Sequence, residues 1–201
     1  MIPVSLAPEP LSFDKRVRQP GSQFVGTLKS YVDADFTGRE FWRRTIPELR
    51  EAYSRICAYT CHWIALDTGG NSVEHFVPKT QDARLAYEWN NLRFVSSRLN
   101  ARRGKKEIID PFQVQLGMFT IRFPSLDVAV GEEFENQEIL HETIRILKLN
   151  DDVSVESREE YVKLYADQVV TKQYLKERAP FIYAEICRYG YEPQDLKGMG
   201  F

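Results

Sequence analysis

Three consecutive pieces of sequence decide how this chain is read: Ser72-Val73-Glu74-His75-Phe76-Val77-Pro78-Lys79, then Trp89-Asn90-Asn91-Leu92-Arg93-Phe94-Val95, then Arg98-Leu99-Asn100-Ala101-Arg102-Arg103-Gly104-Lys105-Lys106. Ser72 to Phe76 and Leu92 to Val95 are short segments with β-branched and aromatic residues, and each predicts a strand. Residues 80–90 are polar with Leu85, Tyr87 and Trp89 interspersed, which predicts a loop. Ser96 or Ser97 is placed to cap a helix reaching about Arg103, and Gly104 is a natural stop for it. The segment therefore reads strand, loop, strand, helix.

Upstream, Trp63 to Leu66 predicts another strand, joined to the one at 72 through the turn formers Asp67-Thr68-Gly69-Gly70-Asn71. A helix is expected from Thr45 to near Cys57, opened by a capping box of Thr45 and Glu48 with Pro47 in its first turn. Residues 1–21 carry four prolines and a glycine and are expected to run as an extended arm. Downstream, residues 112–123 resemble a hairpin hinged at Gly117. Helices are expected over 135–149, 156–169 and 172–189, the last kinked at Pro180. The fold class is α+β. The division is a leader and arm at 1–44, a core at 45–111, and a hairpin with C-terminal helices at 112–201, packed as one compact domain.

Charge is distributed unevenly along the chain. The 201 residues hold 27 Lys and Arg against 29 Asp and Glu, a net charge of -2, which argues against a chain that coats nucleic acid through bulk charge. Residues 1–110 contain 17 basic and 13 acidic residues, whereas 111–201 contain 10 and 16. A polyanion site confined to the first half is compatible with that asymmetry. No apolar run is long enough to span a bilayer and none resembles a signal peptide, so a soluble, cytoplasmic protein without a membrane partner is expected. Cys57, Cys61 and Cys187 are an odd set in a chain of this size and are read as reduced thiols.

The three quoted pieces resemble the HNH endonuclease family, whose strand-strand-helix core (ββα-metal) holds one divalent cation. The resemblance covers roughly residues 57–111. It rests on Glu74-His75 on the first strand, Asn91 before a Leu at the second, and Asn100 on the helix, followed by a basic tail. It implies a metal-dependent endonuclease that hydrolyses phosphodiester bonds, with Glu74 and Asn100 as metal ligands, His75 activating water, and Asn91 orienting the loop and the imidazole. The chemistry suits those residue types. A histidine near its natural pKa is a usable base at neutral pH, and oxygen ligands favour Mg2+ or Mn2+ over zinc. Asn stands at the third motif position, where His is also used in the family, and Glu74 stands where many members have Asp.

Lys79, Arg93, Arg98, Arg102, Arg103, Lys105 and Lys106 are the candidate nucleic-acid contacts. Relatives often carry a structural zinc on two Cys-x-x-Cys pairs. Here Cys57 and Cys61 have the wrong spacing and the second pair falls on Ser96 and Leu99, so no structural zinc is expected. His62 is read as a packed or surface histidine, and Trp89 and Phe94 as core. The resemblance extends to small bacterial HNH proteins of restriction and anti-phage defence, some of which act with an ATPase subunit. DNA is the expected substrate in preference to RNA. The alternatives are a nuclease acting on structured RNA such as tRNA, and a non-catalytic nucleic-acid-binding subunit of a larger complex.

Overall fold

A computed structural model describes all 201 residues as a mixture of helices and two small antiparallel sheets, an α+β protein. The chain divides into two compact units. A hairpin unit comprises Ser5–Arg55 and Ile64–Asn100, and a helical unit comprises Met1–Val4, Ile56–Trp63 and Ala101–Phe201.

In the hairpin unit, strands β1 (Asn71–His75) and β2 (Leu92–Ser96) pair antiparallel, with Asn71 opposite Ser96, Glu74 opposite Arg93 and His75 opposite Leu92. Leu92 to Val95 is buried at every position, Arg93 included, so both faces of β2 are covered. A two-stranded hairpin is marginal in water, and residues 41–52 pack against it, while the N-terminal segment packs on the loop between its strands. That segment is not an extended arm throughout: a π-helical turn over Asp14–Arg18 continues into α1 (Gln19–Val25). Pro20 falls at the start of α1, where its missing N–H costs nothing, and Phe13 and Val17 are buried. Phe13 packs edge-on against Trp89.

The helix expected at Thr45 begins one residue later and is shorter, α2 (Ile46–Ala52), entered through a 3-10 turn over Phe41–Thr45. The capping box does not form. The Thr45 hydroxyl donates to the carbonyl of Trp42, 2.6 Å away, and the Glu48 carboxylate is bonded to Arg16. The positive φ of Ser54 and Arg55 stops α2 well before Cys57. Trp63 to Leu66 is not a strand paired with β1: β1 pairs with β2 alone, and Trp63 makes one isolated bridge to Ile56. Helix α3 (Ser97–Arg103) follows β2 without a break, and Gly104 ends it with φ +56.

In the helical unit, β3 (Phe119–Arg122) pairs with β4 (Asp127–Val130). The expected hinge at Gly117 lies before this hairpin, and the chain reverses over residues 123–126. Gly117 and Gly131 are instead a close approach, since a Cβ on Gly131 would fall 1.9 Å from the Gly117 carbonyl oxygen. The helices are α4 (Glu138–Leu147), α5 (Asp152–Ala166), α6 (Lys172–Arg178), α7 (Pro180–Tyr189) and α8 (Pro193–Gly198). The single kinked helix expected over 172–189 is two helices. Ala179, preceding a proline, is driven to φ -145, ψ 60, and Pro180 opens the next helix. Leu140, Leu147, Val162, Leu175, Ile182, Ile186 and Leu196 form the core, with Ile121 from β3 and Leu126 from the turn after it. No helix is long and apolar enough to cross a membrane.

Candidate metal and nucleic-acid site

Glu74 and His75 are the last two residues of β1. Successive side chains of a strand point to opposite faces, so Ser72 and Glu74 share one face and His75 lies on the other. Glu74 is 2% exposed and faces Arg93, its cross-strand partner, which is 3% exposed. Arg93 donates to the carbonyl oxygens of Asn90 (2.6 Å) and Leu92 (3.1 Å) and lies over the Phe76 ring at 5.2 Å. A buried carboxylate is thus set opposite a buried guanidinium, an arrangement that tolerates charge inside a protein because each ion has a counter-charge at hand.

Asn100 comes from α3. Its Nδ2 donates to the Ser72 hydroxyl at 2.7 Å and to the Val73 carbonyl at 3.4 Å. Both contacts use Nδ2 and leave Oδ1, the one ligating atom of that side chain, outside them. Because Ser72 lies on the face that Glu74 occupies, the amide of Asn100 is fastened to the same face. Two oxygen donors of this kind match a hard divalent cation, with water or phosphate oxygens needed to complete six positions. No group of three or more His, Cys, Asp or Glu side chains stands close enough together to hold a metal.

Asn91 closes the loop between the strands. Its Oδ1 accepts from the Val77 amide (2.7 Å), and its Nδ2 donates to the carbonyls of Val77 and Leu85, each at 3.0 Å. Its own carbonyl accepts from the Phe76 amide at 2.9 Å. These bonds fix the chain leaving β1 to the chain entering β2, so Asn91 braces the loop between the strands.

The imidazole of His75 is 8% exposed. Its Nε2 lies 3.0 Å from the carbonyl oxygen of Ala86. A carbonyl only accepts, so Nε2 carries a proton in this contact. The ring stands perpendicular to the indole of Trp42, with centroids 4.7 Å apart and planes at 86°. Lys79 places its ammonium 5.4 Å from the same indole. Trp42, Ser72 and Ala86 are the residues that sequence reading missed. Trp42 lies in a stretch with no clear periodicity, Ser72 was quoted only as part of a strand, and Ala86 contributes a backbone atom, which has no sequence signal.

The remaining basic candidates separate by exposure. Arg98 on α3 and Lys105 and Lys106 beyond it are exposed. Arg102 turns inward within the helical unit, donating to the carbonyls of Leu147 (3.0 Å) and Lys148 (3.1 Å) and bonding Asp151. Arg103 is 3% exposed, with Nε donating to the carbonyl of Lys106 at 3.1 Å. Asp151 also caps α5, accepting from the Ser154 amide. Burial alone would raise its carboxyl, but the hydrogen bonds from Ser154 and Arg102 outweigh that and bring it to about 2.

Elsewhere, Cys57 and Cys61 are buried thiols and Cys187 is exposed. Burial pushes the Cys61 thiol up. His62 is a packed histidine: Nδ1 lies 3.2 Å from the Ser157 hydroxyl and the ring meets Tyr161 edge-on at 5.1 Å. No protein-family model matches the chain, and no curated protein matches it.

Proposed function

We propose that the protein is a metal-dependent HNH-type endonuclease that hydrolyses phosphodiester bonds of DNA. The observation that carries this reading is the union of β1, β2 and α3 through two asparagines, Asn91 bolting the intervening loop and Asn100 fastened to β1 at Ser72 and Val73. Glu74 and Asn100 Oδ1 would hold Mg2+ or Mn2+, which when bound supplies Lewis-acid charge to the phosphoryl oxygens and the departing 3'-oxygen. His75 accepts a proton from water through Nδ1, while the Ala86 carbonyl holds Nε2–H and fixes the tautomer. Water attacks phosphorus, the bond to the 3'-oxygen breaks, and that oxygen leaves with a proton.

Glu74 and His75 are the last two residues of β1 and lie on opposite faces of it. Lys79, Arg98, Lys105 and Lys106 are the residues suited to contact phosphate directly, whereas Arg93, Arg102 and Arg103 act as internal supports in the conformation described. DNA, a role in bacterial defence, cytoplasmic action and an ATPase partner rest on the family resemblance.

A second reading is favoured by one feature, the apposition of Glu74 and Arg93, both buried. In that reading the pair stabilises the hairpin of a non-catalytic nucleic-acid-binding subunit. Incubating purified protein with supercoiled plasmid and with tRNA, in Mg2+ and in Mn2+, separates the readings. Plasmid cleavage that falls by about 10²–10⁴-fold in His75→Ala supports the nuclease, as expected for removal of a general base. Cleavage of tRNA alone reassigns the substrate. Cleavage of neither with any divalent metal favours the binding subunit.

A further inference from the structure

The indole of Trp42 touches two residues of the proposed site at once. It stands edge-to-face with the His75 imidazole at 4.7 Å and lies under the Lys79 ammonium at 5.4 Å. It is only 5% exposed and is itself held by Phe36, edge-on at 5.4 Å, and by Tyr87, tilted at 5.7 Å. Backbone bonding adds to this: the Thr45 hydroxyl donates to the Trp42 carbonyl, which closes the 3-10 turn that presents the ring. Tyr87 is anchored in turn, its hydroxyl donating to the Arg39 carbonyl at 2.7 Å. Phe36, Trp42 and Tyr87 therefore form a rigid aromatic wall, and His75 is the only imidazole against it.

We infer that Trp42 is a positioning residue of the nuclease site, setting the imidazole of His75 and the ammonium of Lys79 in a fixed relation to each other. The inference rests on the nuclease reading above. The Ala86 carbonyl holds one end of the imidazole through Nε2. The perpendicular indole holds the plane of the ring through the attraction of a ring edge for a π face. The same indole attracts the Lys79 ammonium, so Trp42 links the residue drawn to phosphate with the imidazole. A base misplaced by about 1 Å can cost on the order of 10²-fold in rate. Trp42 therefore acts on the chemical step through His75 and on binding through Lys79.

The experiment measures kcat and KM for plasmid cleavage by the full chain in Mg2+ for wild type, Trp42→Ala, Trp42→Phe and Lys79→Ala, with thermal unfolding of each. Nuclear Overhauser contacts between the Trp42 indole and the His75 imidazole are sought in the wild type. Trp42→Ala is expected to lower kcat by about 10- to 100-fold and to raise KM. Lys79→Ala is expected to raise KM and reduce the salt slope of binding by about 1 while sparing kcat. Trp42→Phe, which keeps an aromatic ring in the wall, restores most of kcat. Because Trp42 is buried, Trp42→Ala also unfolds more easily. A merely structural role would lower the fraction of folded enzyme without altering KM and would leave Trp42→Phe no better than its Tm predicts. Wild-type kcat and KM in folded Trp42→Ala, or no contact between the two rings, overturns this inference and leaves the nuclease reading intact. A wild type inert on plasmid and tRNA overturns the nuclease reading, and this inference with it, even when the ring contact is observed.

Discussion

Asn91 makes hydrogen bonds that neither Asp nor any apolar residue can make together: one acceptor for the Val77 amide and two donors for the carbonyls of Val77 and Leu85. Truncation to Ala leaves buried partners unsatisfied, and Asn91→Ala is expected to lose about 2–4 kcal/mol of stability in urea unfolding. Asn91→Asp keeps the bond from Val77 N but sets a carboxylate against two carbonyls, so it should be no better than Ala. A loss below about 0.5 kcal/mol, ordinary for a surface substitution, would refute the bracing role. A bracing role for Asn91 is what the family resemblance implies for an Asn before Leu92; its type alone does not name its partners. The environment of Glu74 was not legible. Its guanidinium neighbour is Arg93, nineteen residues further along the chain, and only the register of β1 against β2 brings the two opposite each other. The same register gave Arg93 an internal place although its type suggested a phosphate contact.

At the level of elements, the aromatic and β-branched residues of β2 and the capped start of α3 were readable, because a strand and a short helix express a local pattern. The N-terminal segment was not, since its prolines suggest irregular chain and its helix is stabilised by what it packs against. Gly21 marks the docking point: a Cβ there would lie 2.2 Å from the Tyr87 ring. The obstructing atoms belong to the root of a buried ring, itself part of the wall under His75, and have little room to retreat. Gly21→Ala is therefore expected to destabilise the hairpin unit by about 1–3 kcal/mol, the usual cost of overpacking. Chemical denaturation measures this, and an unchanged midpoint would show that α1 does not pack on Tyr87 in solution. The capping box at Thr45 failed for a related reason. The hydroxyl found a closer acceptor in the Trp42 carbonyl once a 3-10 turn preceded α2, and Glu48 found Arg16. Pro180 was rightly read as an interruption, but its effect on Ala179 is strong enough to end one helix and begin another.

At the level of the whole molecule, the two compact units do not follow the linear division at 45 and 112, because Met1–Val4 and Ile56–Trp63 belong with Ala101–Phe201. His62 lies in one of these returning segments. Burial, followed by the nearby Arg158 guanidinium, lowers its pKa to about 3, against an unfolded value near 6.5. The unfolded chain then binds a proton that the folded chain refuses, so this site's contribution to stability is complete above about pH 6.5 and declines as pH falls from there toward 3. His62→Gln, which cannot titrate, should flatten stability against pH in that window, measured by urea unfolding at several pH values. An unchanged slope would mean that His62 is protonated in the folded protein. The order of residue types by itself determined the strand-loop-strand-helix segment, the α+β class and the asymmetry of charge, because periodicity, turn formers and charge are properties of neighbouring residues. Only the tertiary structure decided that Arg93, Arg102 and Arg103 turn inward, that Trp42 stands against His75, and that the chain's beginning and its middle return to the C-terminal helices. Each of those depends on which distant segments meet, and burial rather than local propensity selects among such meetings.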